Sequence, residues 1–157
     1  MLKEGPLILQ VGKLQRLKVA NIASFGVYLD AVTGKRRDNV LLPKNECPEN
    51  VQEGDELEVF VYHDSENRLI ATLKKPLAQV GELAYLKVTA KSKYGAFLDL
   101  GLERGLFLPF REQKYPLEVG KSYLVYLYLD KSGRMAATTD VYDFLRSDSP
   151  YQKNDTV

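Results

Sequence analysis

The chain of 157 residues has one cysteine, Cys47, and one histidine, His63. A lone cysteine excludes an internal disulfide and suits a reducing compartment, so a cytoplasmic protein is expected. One cysteine and one histidine also fall short of a zinc site, and no metal or cofactor is expected. No apolar run approaches the roughly 20 residues that span a bilayer. The apolar core of the N-terminal MLKEGPLILQVGKLQ is too short for a secretory signal. A membrane is therefore not an expected partner. An excess of one charge is missing too: 22 Lys and Arg against 21 Asp and Glu leave a formal net of +1. Nucleic-acid-binding domains commonly show a pI above about 9, so any such affinity here has to come from something other than bulk charge. Catalytic signatures are equally scarce. There is no Gly-x-Ser-x-Gly, the carboxylates are scattered over turns, and GLERG (101–105) lacks the Lys-Ser/Thr of a P-loop. The chain reads as a non-enzyme.

What the sequence does have is a repeat. QVGKLQRLKVANIASFGVYLD (10–30) aligns without gaps on QVGELAYLKVTAKSKYGAFLD (79–99), with ten of the twenty-one pairs identical. Beyond a loop near residues 33–38 the offset drops from 69 to 66. VLLPKNE (40–46) then matches LFLPFRE (106–112), and residues 53–72 match 119–138. Each copy carries five strand signals, in the second roughly 82–91, 94–100, 105–108, 121–130 and 134–138. Gly101, Pro109, Pro116, Gly120 and the turn at 130–133 punctuate them. Five short strands with no helical period suggest a small closed barrel, which removes exposed sheet edges. The expected fold is all-β: two tandem five-stranded OB-fold barrels, over residues 1–75 and 76–139. Residues 140–157 read as a short helix on Val141, Phe144 and Leu145, then a linker. Its YQKNDTV resembles the opening of a third repeat, and a chain continuing into further domains is expected.

One stretch breaks the strand rule. In KYGAFLD (93–99) and SFGVYLD (24–30) two rings sit three positions apart, so alternation sends them to opposite faces. A bulge at Gly26 or Gly95 would bring them to one face. The fourth strand raises a second question. Leu57, Val59 and Val61, and likewise Val125, Leu127 and Leu129, share the inward parity. Phe60 and Tyr62, with Tyr126 and Tyr128, fall outward and call for a cover of barrel or helix. His63 aligns with Leu129 and reads as a semi-buried filler.

The pattern G-x-L-x-x-L-x-V, [FY]-G-x-[FY]-L-D, G-D-x-L-x-V-x-V, D-x-x-x-R-x-x-A-T resembles the S-one RNA-binding repeat, twice over nearly the whole chain. LLPKNE and FLPFRE are most similar to the conserved virulence factor B family, whose members carry several such repeats and then a winged-helix domain. The resemblance implies a bacterial, non-catalytic module of a regulator of virulence genes that binds single-stranded RNA, and a monomer is expected. Carried over residue by residue, it implies bases stacked on Phe25 and Tyr28 in the first copy and on Tyr94 and Phe97 in the second. Asp64 with Arg68, and Asp130 with Arg134, flank the loop between strands four and five. The family's strand-three histidine is replaced by Leu42 and Leu108. Lys91 and Lys93 lie in a rim loop, ready to track a phosphate backbone.

Stacking is nearly independent of net charge and of base identity, at about 1–3 kcal/mol per base. It therefore answers the missing basic excess, and it selects single strands because duplex bases are not free to stack. A second reading stays open. The rings can instead be barrel exterior buried against another domain, making the chain a protein-interaction or spacer module. The Asp–Arg pairs can likewise be cross-turn ion pairs worth a few tenths of a kcal/mol. Lys35, Arg36 and Arg37 read as a solvated hairpin tip.

Overall fold

The computed structural model describes residues 9–143. The chain divides into two compact units, Met1–Lys75 and Pro76–Val157. In the first, β1 (Leu14–Ala23), β2 (Gly26–Leu29), β3 (Val40–Pro43), β4 (Glu56–His63) and β5 (Leu69–Thr72) form a closed barrel in the order β1-β2-β3-β5-β4. Every pairing is antiparallel except β3 with β5, where Leu41 meets Ile70 in parallel. Period-two alternation supplies the filling: Leu17, Val19, Val27, Leu29, Val40, Leu42, Val59, Val61 and Ala71 make one core. A fully buried Val or Leu is worth about 1.5–3 kcal/mol of transfer free energy.

The second unit repeats the plan with β6 (Leu83–Ser92), β7 (Gly95–Leu98), β8 (Leu106–Pro109), β9 (Ser122–Leu129) and β10 (Met135–Thr138), in the order β10-β9-β6-β7-β8. Here β8 and β10 lie against each other without ladder pairing. A side chain fastens this seam instead. Thr138 Oγ1 donates to Glu112 Oε1 at 3.0 Å, and Thr139 N–H donates to Glu112 O at 3.1 Å. In the first barrel Glu46 Oε1 accepts from Thr72 Oγ1 at 2.6 Å and from Leu73 N–H at 2.9 Å. The last residue of LLPKNE and FLPFRE thus ties the turn after strand three to the end of strand five in both copies.

Two expectations need correction. No bulge occurs at Gly26 or Gly95. Ala23 pairs with Gly26, and Ser92 with Gly95, so Ser24-Phe25 and Lys93-Tyr94 are the tips of two-residue hairpins. Phe25 and Tyr94 precede the strand rather than belonging to it, and alternation never applied to them. The register irregularities lie in the long partner strands instead, between Val19 and Asn21 and between Val88 and Ala90. The glycines answer to a close approach. A Cβ on Gly26 would fall inside 3.0 Å of Leu42 O, and one on Gly95 inside 3.0 Å of Leu108 O. Gly26 also sits at φ +153°, which L side chains rarely adopt.

The second correction concerns strand four. Val59, Val61, Val125 and Leu127 are buried inside as expected, but Leu129, of the same parity, is 41% exposed at the end of β9. On the outward parity Phe60, Tyr126 and Tyr128 are buried, in keeping with the cover that these outward rings call for. Tyr126, Tyr128 and Ala136 form a small cluster on which Val141 packs, and residues 141–143 are helical. Phe144, Leu145 and the expected start of a third repeat lie outside the described residues.

Candidate nucleic-acid interface

The hairpin tips carry the rings, and the barrel holds the tips in place. Lys44 N–H donates to Phe25 O at 2.9 Å, and Phe110 N–H donates to Tyr94 O at 3.2 Å. Each ring-bearing turn is thereby tied to the 3-10 turn that follows strand three. Phe25 is 54% and Tyr94 66% exposed, while Tyr28 and Phe97 on the strands are half-buried. Phe25 and Tyr28 meet edge-to-face with centroids 5.9 Å apart. In the second barrel Phe97 packs on Phe107 at 5.4 Å, and Lys93 Nζ stands 5.2 Å from the Tyr94 ring centre.

From the rings an apolar band runs across the first barrel's outer face. Tyr28 pairs with Leu41, Leu41 with Ile70, and Ile70 with Tyr62. All four are half-buried, while their neighbours Val27, Leu42, Val61 and Ala71 fill the core. Leu42 and Leu108, expected at the family's histidine position, are fully buried. The outward strand-three neighbours of the rings are Leu41, opposite Tyr28, and Phe107, opposite Phe97. Phe107 was missed in the sequence, although the alternation of Leu106, Phe107 and Leu108 placed it outward.

The acidic and basic residues do something local first. Asp64 Oδ1 accepts from the N–H groups of Glu66 and Arg68 at 2.9 Å each, and Arg68 Nε lies 3.1 Å from Asp64 Oδ2. Asp130 Oδ1 accepts from Ser132 N–H at 2.9 Å, Ser132 Oγ at 2.6 Å and Arg134 N–H at 3.1 Å. Burial alone would raise both carboxyls. The donors outweigh it and hold both below the ordinary aspartate value. Each aspartate therefore builds the turn from which an exposed arginine projects. Because β5 runs parallel to β3, Arg68 enters at the start of β3, whereas Phe25 adjoins the end of it. The two stand at opposite ends of the band, about 13 Å of strand apart. Lys93 sits in the hairpin tip, but Lys91 belongs to β6 and donates to Leu117 O at 2.9 Å, which commits its amine to the barrel. Among the described residues no group of three or more His, Cys, Asp or Glu could hold a metal, and no helix is long and apolar enough to cross a membrane.

The fold defines a class, the five-stranded OB-type barrel, and comparison with known proteins identifies its family. The family model for the S1 domain matches residues 11–74 and 80–140, so the chain belongs to the S1-domain family, in two copies. It is 32% identical over 132 residues to the uncharacterized protein YitL of Bacillus subtilis, covering 80% of this chain and 43% of that protein. It is 28% identical over 142 residues to conserved virulence factor B of Staphylococcus epidermidis, covering 83% and 46%. The expected kinship with the conserved virulence factor B proteins holds, and the chain spans less than half the length of these curated relatives. A crystal structure of a multidomain protein with nucleic acid binding domains from Streptococcus pneumoniae superposes with a TM-score of 0.67 at 20% identity, covering 89% of this chain and 50% of that one.

Proposed function

We propose that the chain is a non-catalytic module that binds single-stranded RNA by stacking bases on outward rings, within a larger cytoplasmic regulator of bacterial gene expression, virulence genes included. One observation carries the reading: both barrels hold an exposed ring at the tip of the β1–β2 or β6–β7 hairpin beside a half-buried ring on the following strand. Flat apolar groups held toward water at matching places on two barrels suit a ligand that is itself a row of flat groups. Arg68, Lys93 and Arg134 supply cations for the backbone, consistent with a chain of nearly zero net charge.

The test is fluorescence anisotropy of labelled oligo(U) and oligo(A) at low salt, with wild type and a Tyr94→Ala/Phe97→Ala variant. Loss of stacking lowers affinity by about 1–3 kcal/mol per base, roughly five- to 150-fold, in a protein that stays folded. Wild type that binds neither oligomer at low salt refutes the proposal.

A second reading has its own support. On β6, Leu83 is 46% and Tyr85 73% exposed, where the first barrel has Leu14 and the ion-paired Arg16 (3.5 Å from Glu56). This face suits a protein partner or a further domain of a longer chain, such as a third barrel or a winged helix. It does not compete for the hairpin rings.

A further inference from the structure

Beneath the first barrel's hairpin is an open recess of about 390 Å³, walled chiefly by Ile22, Gly26, Val27, Cys47, Pro48 and Val51, with Ser24 and Lys44 also lining it. The second barrel shows what this space takes. At the repeat offsets Ile22 corresponds to Lys91, Cys47 to Gln113 and Val51 to Leu117. Lys91 Nζ donates to Leu117 O at 2.9 Å, and Gln113 Nε2 donates to Leu108 O at 3.2 Å. An alkyl stem and a planar amide thus lie there with their nitrogen donors on two backbone carbonyls. In the first barrel both side chains are replaced by groups without a nitrogen. The Cys47 thiol, a weak donor, lies 3.5 Å from Leu42 O, the counterpart of Leu108 O, and 3.4 Å from Pro43 O, so its one hydrogen is shared between them.

We propose that this recess is a pocket for a nucleobase with an amine where guanine and uracil carry the O6 or O4 carbonyl, that is adenine (N6) or cytosine (N4), from the same strand that stacks on the rings. The inference rests on the RNA-binding reading above. Such a base has apolar faces for Ile22, Val27 and Pro48, and its amino group reproduces the donors that Gln113 and Lys91 place on the carbonyls of the second barrel. Uracil presents a carbonyl oxygen where the amine is needed, and two facing acceptors repel. The recess is continuous with the ring face. Ser24 and Gly26 flank Phe25 in the chain, and Lys44 lines the recess with its N–H on Phe25 O. A strand with one base on Phe25 can lower its neighbour into the pocket.

Cys47 is the chain's single cysteine, so its alkylation by iodoacetamide reports occupancy directly. The full chain is tested with oligo(A), oligo(C) and oligo(U), beside two variants that copy the second barrel, Cys47→Gln and Ile22→Lys/Cys47→Gln. Wild type is expected to prefer oligo(A) and oligo(C) over oligo(U) by at least about fivefold, the size of one base-edge contact. Both variants lose that preference and keep their affinity for oligo(U). Saturating oligo(A) slows alkylation of wild-type Cys47, and oligo(U) does not. A preference that survives in a folded variant, or alkylation indifferent to oligo(A), overturns the pocket. The alkylation arm needs no variant, so a misfolded double substitution leaves the question decidable. Should wild type bind no oligomer, the RNA-binding function itself falls. The pocket then stands or falls on adenosine monophosphate, whose slowing of Cys47 alkylation upholds it and whose lack of effect overturns it.

Discussion

Replacing Gly95 by Ala tests the packing beneath the exposed rings. The added Cβ would sit inside 3.0 Å of Leu108 O, and the Phe107 ring and Pro109 Cα crowd the same spot at 3.0 Å. The two backbone atoms cannot yield cheaply, because Gly95–Pro109 and Ala96–Leu108 are rungs of the β7–β8 ladder and Leu108 is fully buried. The strands must part by several tenths of an ångström or more. Overpacking of this kind costs about 1–3 kcal/mol. At 2 kcal/mol, amides in the second barrel that exchange by global opening would exchange about 30-fold faster. Hydrogen-exchange mass spectrometry is the suitable assay, since it reads each barrel separately where a melt of two units would blur them. The β6–β9 peptides should lose protection while the β1–β4 peptides keep theirs. The same change at Gly26 should cost more, because φ +153° adds a backbone penalty of about 1–3 kcal/mol. Unchanged exchange in Gly95→Ala would show that β8 does not press on this glycine. The geometry that fixes Tyr94 at the hairpin tip would then be wrong.

Three further outcomes follow from the same coordinates. Asp64 and Asp130 have lowered carboxyl pKa values, so their contribution is present above the unfolded aspartate value near 4 and is lost as pH falls through the folded ones. Side-chain carboxyl NMR should show both titrating below free aspartate, and Asp130→Asn should lose part of this acid dependence. Tyr128 is pushed up to about 12, first by burial and then by the Glu112 charge. Phenolate absorbance should show a step near pH 12 that Tyr128→Phe deletes; its contribution is whole below about pH 10 and disappears as pH rises through about 12. Oligonucleotide affinity should depend weakly on salt. With Arg68, Lys93 and Arg134 as the backbone cations, the log–log slope should be no steeper than about −2, and a slope of −5 would mean that charge rather than stacking carries the binding.

How far the sequence reads through to this structure depends on which rule each residue obeys. The repeat offsets alone give the two barrels and their five strands, because glycines, inward valines and leucines, and the turn aspartates recur in step. Phe25 and Tyr94 were misread because alternation was applied to residues in a two-residue turn, where it has no meaning. Leu42 and Leu108 were set against a family histidine by alignment, although lying between outward neighbours already marked them as core. Parity on β4 and β9 was legible, and so was the need for a cover over the outward rings, but not which residue supplies it. Tyr126 and Tyr128 are outward and still covered, through Val141, which pairwise patterning within a barrel does not see. The Glu46–Thr72 and Glu112–Thr138 bonds were also in view as a recurring Glu and Thr, yet only the closed barrel brings them together.

The two copies differ in a way that sorts architecture from recognition. What closes each barrel is kept: the glycine against strand three, the Glu–Thr fastening and the aspartate that shapes the last turn. What faces outward has changed, with Leu41 against Phe107, Arg16 against Tyr85, and Cys47 at the open recess against Gln113, whose amide donates to Leu108 O. On the RNA-binding reading, unequal faces on equal frames let the barrels meet different parts of a ligand. The second offers Tyr94, the more exposed tip ring, with Phe97 and Phe107, and the first offers Phe25, set edge-on against Tyr28, with Tyr62 farther along the band and the recess beside it. Ring substitutions in the two barrels should therefore not be interchangeable, and the second barrel should carry the larger share of any affinity that stacking supplies.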